Sequence, residues 1–277
     1  MVYLESFIPY LEDRAVYPYK VIYQMLCEVI DFAPITILYG NNGCGKSTLL
    51  NVIAECIGIN KKTPGNANEY FDSYVGKCRY VKRHQLPDDC ALIRSEDIMW
   101  DISSTRKQYK EAVKKMANKK QAARDYGIKD DVFNSFCNNP DNLASEERYM
   151  IGNIRELQSY RTSTSYITDK MASNGEKALE YFKEHVYGDN LYLLDEPENS
   201  MAPTFQKELA RIIALFAYRL DSQFVIATHS PFMLSIEGAK IYDLDSHPVS
   251  VKPWYQLQNM QEYNNLFRKF GKYFNKD

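Results

Sequence analysis

An α/β fold with a mostly parallel central sheet follows from three features of this 277-residue chain. Short, wholly apolar runs recur at residues 35–39 (ITILY), 191–194 (LYLL) and 224–227 (FVIA). Each is too short for a helix and too apolar for an exposed strand, the pattern of strands covered on both faces. Helical stretches separate them, at 47–57, 175–186 and 204–220. Each run also ends in polar punctuation: Gly40 after the first, Asp195-Glu196 after the second, Thr228-His229-Ser230 after the third. Strands alternating with helices, with chemistry-bearing residues at the C-terminal strand ends, describe an open sheet whose ligands sit along that edge.

The first run feeds Gly40-Asn41-Asn42-Gly43-Cys44-Gly45-Lys46-Ser47-Thr48, which fits GxxxxGK[ST] after a strand and before a helix. Glycines let the backbone wrap an anion with its N–H groups turned inward. The helix that starts near Lys46 adds its positive end. Lys46 is expected to reach the β- and γ-phosphates of a nucleotide, and the Ser47 hydroxyl to ligate Mg²⁺. A ligand-free glycine turn is the plain alternative, which the full motif in this position disfavours. The second run delivers Asp195 and Glu196, expected to hold Mg²⁺ and to orient and deprotonate the attacking water. A fourth strand is expected at 241–244.

Residues 60–165 differ in character, with Asn- and Lys-rich loops, a strand-like ALIR at 91–94 and a long polar helix near 105–126. In that helix Tyr109, Ala112, Val113, Met116, Ala117, Ala123 and Tyr126 recur at helical spacing. Arg106, Lys107, Lys110, Lys114, Lys115, Lys119, Lys120 and Arg124 occupy the opposite face. The organisation expected is one domain over 1–277, an inserted, mainly helical lobe over 60–165, and a tail over 246–277 packed on the core. The cations read either as a surface tracking a DNA backbone or as a solvated face, and the second reading is favoured.

Composition bounds the rest. Lys+Arg 34 against Asp+Glu 36 gives a net charge of −2, so no wholesale basic footprint marks nucleic acid as the partner. Cys27, Cys44, Cys56, Cys78, Cys90 and Cys137 form no CxxC pair, which argues against zinc and for reduced thiols. The N-terminus carries acids and prolines where a signal peptide needs a basic start, and no apolar run approaches the roughly 20 residues of a membrane span. A soluble, cytoplasmic protein is expected. The 22 tyrosines have no explanation in the sequence.

Further segments complete a pattern: Ala172-Ser173-Asn174-Gly175-Glu176 opens a helix, Glu198-Asn199-Ser200-Met201 follows the acidic strand, and Thr228-His229-Ser230-Pro231 follows the next. This order resembles the ATP-binding cassette (ABC) ATPases. It is most similar to their soluble RecF- and SMC-like branch and to compact bacterial "AAA family ATPases". The resemblance covers 1–58 and 165–245. It implies an ABC-type ATPase fold, ATP and Mg²⁺ as ligands, and an ATP hydrolase that forms a homodimer around two ATP molecules. Ser173, Gly175 and Glu176 would then bind the γ-phosphate held by the other subunit, and Ser200 would belong to the D-loop crossing between subunits. Glu196 is the implied base, with His229 touching the γ-phosphate and holding Glu196 and its water. The Q-loop position falls to Glu96, near Mg²⁺, or to Gln85, and adenine stacking to Tyr17, Tyr19 or Tyr23. Ala172, Asn174 and Glu176 depart from the fuller LSGGQ signature, which weakens a transporter assignment. The implied partner is DNA or a separately encoded effector protein, with no membrane. A nucleotide-gated module of a bacterial defence or toxin-like system is the alternative.

Overall fold

In a computed structural model, described at residues 1–59, 69–125, 127–138 and 173–274, the three apolar runs become neighbouring strands with every side chain buried. The elements run β1 (Leu4–Ile8), α1 (Tyr19–Met25), β2 (Ile30–Asp31), β3 (Ile35–Tyr39), α2 (Lys46–Cys56), α3 (Glu69–Val75), β4 (Arg79–Lys82), β5 (Ala91–Arg94) and α4 (Ser95–Asp125). There follow α5 (Asp130–Asn138), α6 (Asn174–His185), β6 (Leu191–Asp195), α7 (Pro203–Arg219), β7 (Gln223–Ala227), α8 (Pro231–Leu234), β8 (Lys240–Asp243), β9 (Ser250–Val251) and α9 (Gln258–Phe270).

The large sheet has the order β5-β6-β7-β3-β8-β9, parallel except for the last strand. A small antiparallel sheet, β2-β1-β4, stands beside it. One buried amide stitches the two together. Gln223 Oε1 accepts from Tyr3 N and Leu4 N, both at 2.8 Å, while its Nε2 donates to Leu4 O at 2.9 Å and Ala33 O at 3.3 Å. The helices start where their chemistry allows: Gly45 stands before α2, and prolines open α7 and α8 at positions that need no N–H.

The described chain divides into two compact units, Met1–Met99 with Asn174–Asp277, and Trp100–Ser173. Segment 69–99 stands with the sheets because β4 pairs with β1 and β5 with β6, so ALIR is a strand of the central sheet, outside any helical lobe. The polar helix starts ten residues before the expected Thr105, at Ser95, directly from the end of β5. In the second unit Ala123, Ile128 and Phe133 are buried. Arg124 grips Asp130 through two bonds of 2.8 and 2.7 Å, and Lys120 lies 3.1 Å from the same carboxylate. The side chains of Tyr109, Lys110, Ala112, Val113, Lys115, Met116, Ala117, Lys119 and Tyr126, and residues 60–68 and 139–165 of the expected lobe, lie outside the described residues.

The tail departs from expectation. Leu257 is buried and Asn259 N donates to Tyr39 Oη at 3.2 Å, but α9 itself buries no residue among those described. Tyr263, Leu266, Phe267 and Phe270 fall on one helical stripe and are exposed. Among the described residues no helix is long and apolar enough to cross a membrane.

Candidate nucleotide site

β3, β6 and β7 end side by side, and the loops that leave them converge. Gly40–Gly45 joins β3 to α2 with positive φ at Gly43 (+84°) and Gly45 (+101°). Gly45 is required twice over, since a Cβ there would lie 2.6 Å from Val21 Cγ1 as well as in a strained conformation. Asn41 N donates to Asp245 Oδ2 at 2.8 Å, so the turn after β8 anchors the start of the loop.

Lys46 is 5% exposed, and its ammonium is fully occupied. Nζ donates to Gly40 O at 2.8 Å and Asn41 O at 3.1 Å, and lies 2.8 Å from His229 Nε2. A lysine ammonium has no acceptor, so His229 must offer the Nε2 lone pair and stay neutral. Burial and the adjacent Lys46 charge push His229 below the usual histidine range, in agreement. His229 Nε2 also lies 4.0 Å from Glu196 Oε1.

Ser47, on the first turn of α2, donates to Asp195 Oδ1 at 3.0 Å. Asp195 is buried, and desolvation, together with the neighbouring Glu196 charge, pushes its carboxyl up to about 6 despite the Ser47 bond. A hard oxygen pair with an under-compensated carboxylate suits Mg²⁺, which binds through one or two protein oxygens plus substrate phosphates. No cluster of three or more His, Cys, Asp or Glu side chains that could hold a metal ion occurs among the described residues.

Glu196 has φ +49°, a left-handed conformation rare for a side chain of its length, and its N–H donates to Ala227 O at 2.9 Å. Asn199 Nδ2 donates to Glu196 Oε2 at 2.9 Å and to Ser95 Oγ at 3.2 Å, fixing the carboxylate from the far side. Ser200 also has positive φ, +66°. Two such residues in one turn are a backbone held against its preference, a feature concentrated at functional sites.

The structure thus brings together Gly40, Asn41, Gly45, Lys46, Ser47, Asp195, Glu196 and His229; Asn42, Gly43, Cys44 and Thr48 complete the same loop and helix start. Gly175 opens α6 against the turn after β6: a Cβ would meet Ser200 O at 2.9 Å and Met201 Cα at 3.1 Å. Glu176 is exposed on that first turn, and Ser173 is the last residue of the second unit. Glu96 is exposed, as is Gln85; the carboxylate turned inward is Asp97, which accepts from Arg94 N at 3.3 Å. Tyr19 is fully buried against Tyr74, which leaves its ring no face for a base, while Tyr17 stacks on Phe71.

Sequence reasoning missed four residues. Arg94 stands beside Asp195 in the parallel register of β5 and β6, and its Nη2 donates to Asn51 Oδ1 at 2.5 Å. Asp245, Glu198 and Asn199 complete the set. Only the register of β5 against β6 would have singled out Arg94.

A strand, glycine loop and helix thus place Lys46 and Ser47 against an acid on the neighbouring-but-one parallel strand. The fold is a mixed α/β one with a mostly parallel central sheet. Residues 156–235 match the sequence family described as "AAA domain, putative AbiEii toxin, Type IV TA system". No curated protein matches the chain. Similar solved structures include "An inward-facing conformation of a putative metal-chelate type ABC transporter" (TM-score 0.42, 15% identity, 96% of this chain and 90% of that one). An SMC head domain with coiled coil bound to the C-terminal domain of ScpA, from Pyrococcus furiosus, gives TM-score 0.41, 15% identity, and covers 96% and 100%. The SMC head of Thermotoga maritima gives 0.38 and 10% identity, covering 91% and 99%.

Proposed function

We propose that the chain binds Mg–ATP at residues 40–48 and hydrolyses it, with nucleotide-driven pairing of two copies. The observation that carries this reading is the contact of Ser47 with Asp195 at 3.0 Å beside a separate Lys46–His229–Glu196 group. Mg²⁺ held by Ser47 and Asp195 would neutralise charge on the phosphates. The loop N–H groups and the N-terminus of α2 take the β-phosphate. Lys46 exchanges Gly40 O, Asn41 O and His229 for phosphate oxygens, which frees His229 to face the γ-phosphate. Glu196, steadied by Asn199, accepts the proton of a water whose oxygen bonds to the γ-phosphorus as the bridging P–O bond breaks, giving ADP and phosphate. Ser173, Gly175 and Glu176 complete the site of the second copy, with Ser200 at the crossing.

ATP turnover by purified protein, with sizing of Glu196→Gln in Mg–ATP, tests this. Hydrolysis by wild type and an ATP-trapped dimer for Glu196→Gln are expected; a wild type without nucleotide affinity refutes the reading. A second reading, a nucleotide-gated regulator of a toxin-like system, draws on the description of the family matched over 156–235. In that case ATP binding persists with negligible turnover and an effector protein co-purifies in its presence. The Asp130 contacts of Lys120 and Arg124 favour a solvated face over a DNA surface.

A further inference from the structure

Two loops carry the hydrolytic groups: the turn after β6, with Glu196 and Ser200, and the loop after β7, with His229. Backbone pairing between them ends at Glu196 N to Ala227 O. Beyond that point side chains make the junction. Glu198 Oε1 accepts from Thr228 Oγ1 at 2.5 Å, His229 N at 3.0 Å and Ser230 N at 3.1 Å. Gln206 on α7 adds a second tie, donating to Met201 O at 2.9 Å and accepting from Ser230 Oγ at 2.8 Å. On its other side the same turn packs its Ser200 and Met201 backbone against Gly175.

We propose that Glu198 is a positioning residue that locks the His229 loop to the turn bearing Ser200, so that displacement of this turn resets His229 against Lys46 and Glu196. The proposal rests on the ATPase reading of this site. Glu198 is 8% exposed, and its Oε2 is buried without a hydrogen-bond partner among the described residues. A buried carboxylate oxygen with no donor disfavours the anion, and burial pushes the Glu198 carboxyl up. A proton on Oε2 leaves Oε1 free to accept all three bonds. Glutamine reproduces that arrangement, with its carbonyl in place of Oε1 and its amino group in place of the protonated oxygen. Alanine removes the acceptor and frees the backbone of His229 and Ser230.

The test compares wild type, Glu198→Gln and Glu198→Ala in ATP turnover, in affinity for a fluorescent ATP analogue, and in the His229 ring resonance by NMR, assigned through His229→Gln. A small misplacement of a reacting group costs about 10- to 100-fold in rate, so Glu198→Ala is expected to lose that much in kcat. Its analogue affinity stays near wild type and its His229 resonance shifts; Glu198→Gln recovers both kcat and the resonance. Loss of kcat and analogue binding together, without rescue by glutamine, overturns the proposal in favour of a mere brace. So does an alanine variant with wild-type kcat and an unmoved His229 signal. If wild type turns over no ATP, the ATPase reading falls alone. The resonance then decides: moved in alanine and restored in glutamine sustains the positioning role, and unmoved refutes it.

Discussion

At Asp195, stability and the proposed Mg²⁺ role pull against each other, and replacement by asparagine separates them. Burial, with Glu196 alongside, holds this carboxyl at about 6 in the fold, against an ordinary 3.8. The folded chain therefore holds the proton more tightly than the unfolded one. The stability this provides is full below about pH 4 and is lost as pH rises through about 6. Two pKa units at roughly 1.4 kcal/mol each put a penalty of about 3 kcal/mol on the Mg²⁺-free fold at pH 7.5, and about half that at pH 5. Asparagine keeps an oxygen for the Ser47 hydroxyl and carries no charge. Asp195→Asn is expected to raise Tm at pH 7.5 in EDTA by roughly 5–10 °C, with a smaller gain at pH 5. It should at the same time lack the stabilisation that Mg–ATP is expected to give wild type. Differential scanning fluorimetry at both pH values, in EDTA and in Mg–ATP, reads all of this. A lower Tm for the variant at pH 7.5 in EDTA refutes the reasoning, because the Ser47 bond would then outweigh the buried charge.

Other perturbations follow from single contacts. Gly43→Ala and Gly45→Ala share the cost of a positive φ, but only the second meets Val21 Cγ1, at 2.6 Å, so their melting temperatures isolate the clash. Overpacking of this kind costs about 1–3 kcal/mol, which places Gly45→Ala roughly 3–10 °C below Gly43→Ala. Asn199→Ala frees Glu196 Oε2; steady-state kinetics are expected to show kcat falling about tenfold with ATP affinity unchanged. Gln223→Leu leaves Tyr3 N and Leu4 N buried without their acceptor, at about 1–3 kcal/mol each, and urea unfolding should show a loss of roughly 2–6 kcal/mol.

Much of the site was legible because its chemistry is local in sequence. A glycine loop between an apolar strand and a helix, or an acid pair closing a Leu-rich run, needs only neighbours along the chain to be recognised. Glu96 shows where that stops. Position after ALIR pointed to it, yet the helix begins at Ser95, and helical geometry turns Asp97 inward and leaves Glu96 exposed. Tyr19 shows the same limit: composition could not tell an aromatic free to stack from one buried against Tyr74.

The sequence by itself determined the parallel sheet, the glycine loop between strand and helix, and the two acids at a strand end, because periodicity and strand-end residues are properties of contiguous segments. Only the tertiary structure decided which distant groups share that edge. It set Arg94 beside Asp195 through strand register, Asp245 under the loop, and Glu198 across the junction to His229. It also left the α9 stripe outside the core, although its spacing is that of a packed helix. Register and burial depend on contacts between residues far apart in the chain, and no local pattern encodes them.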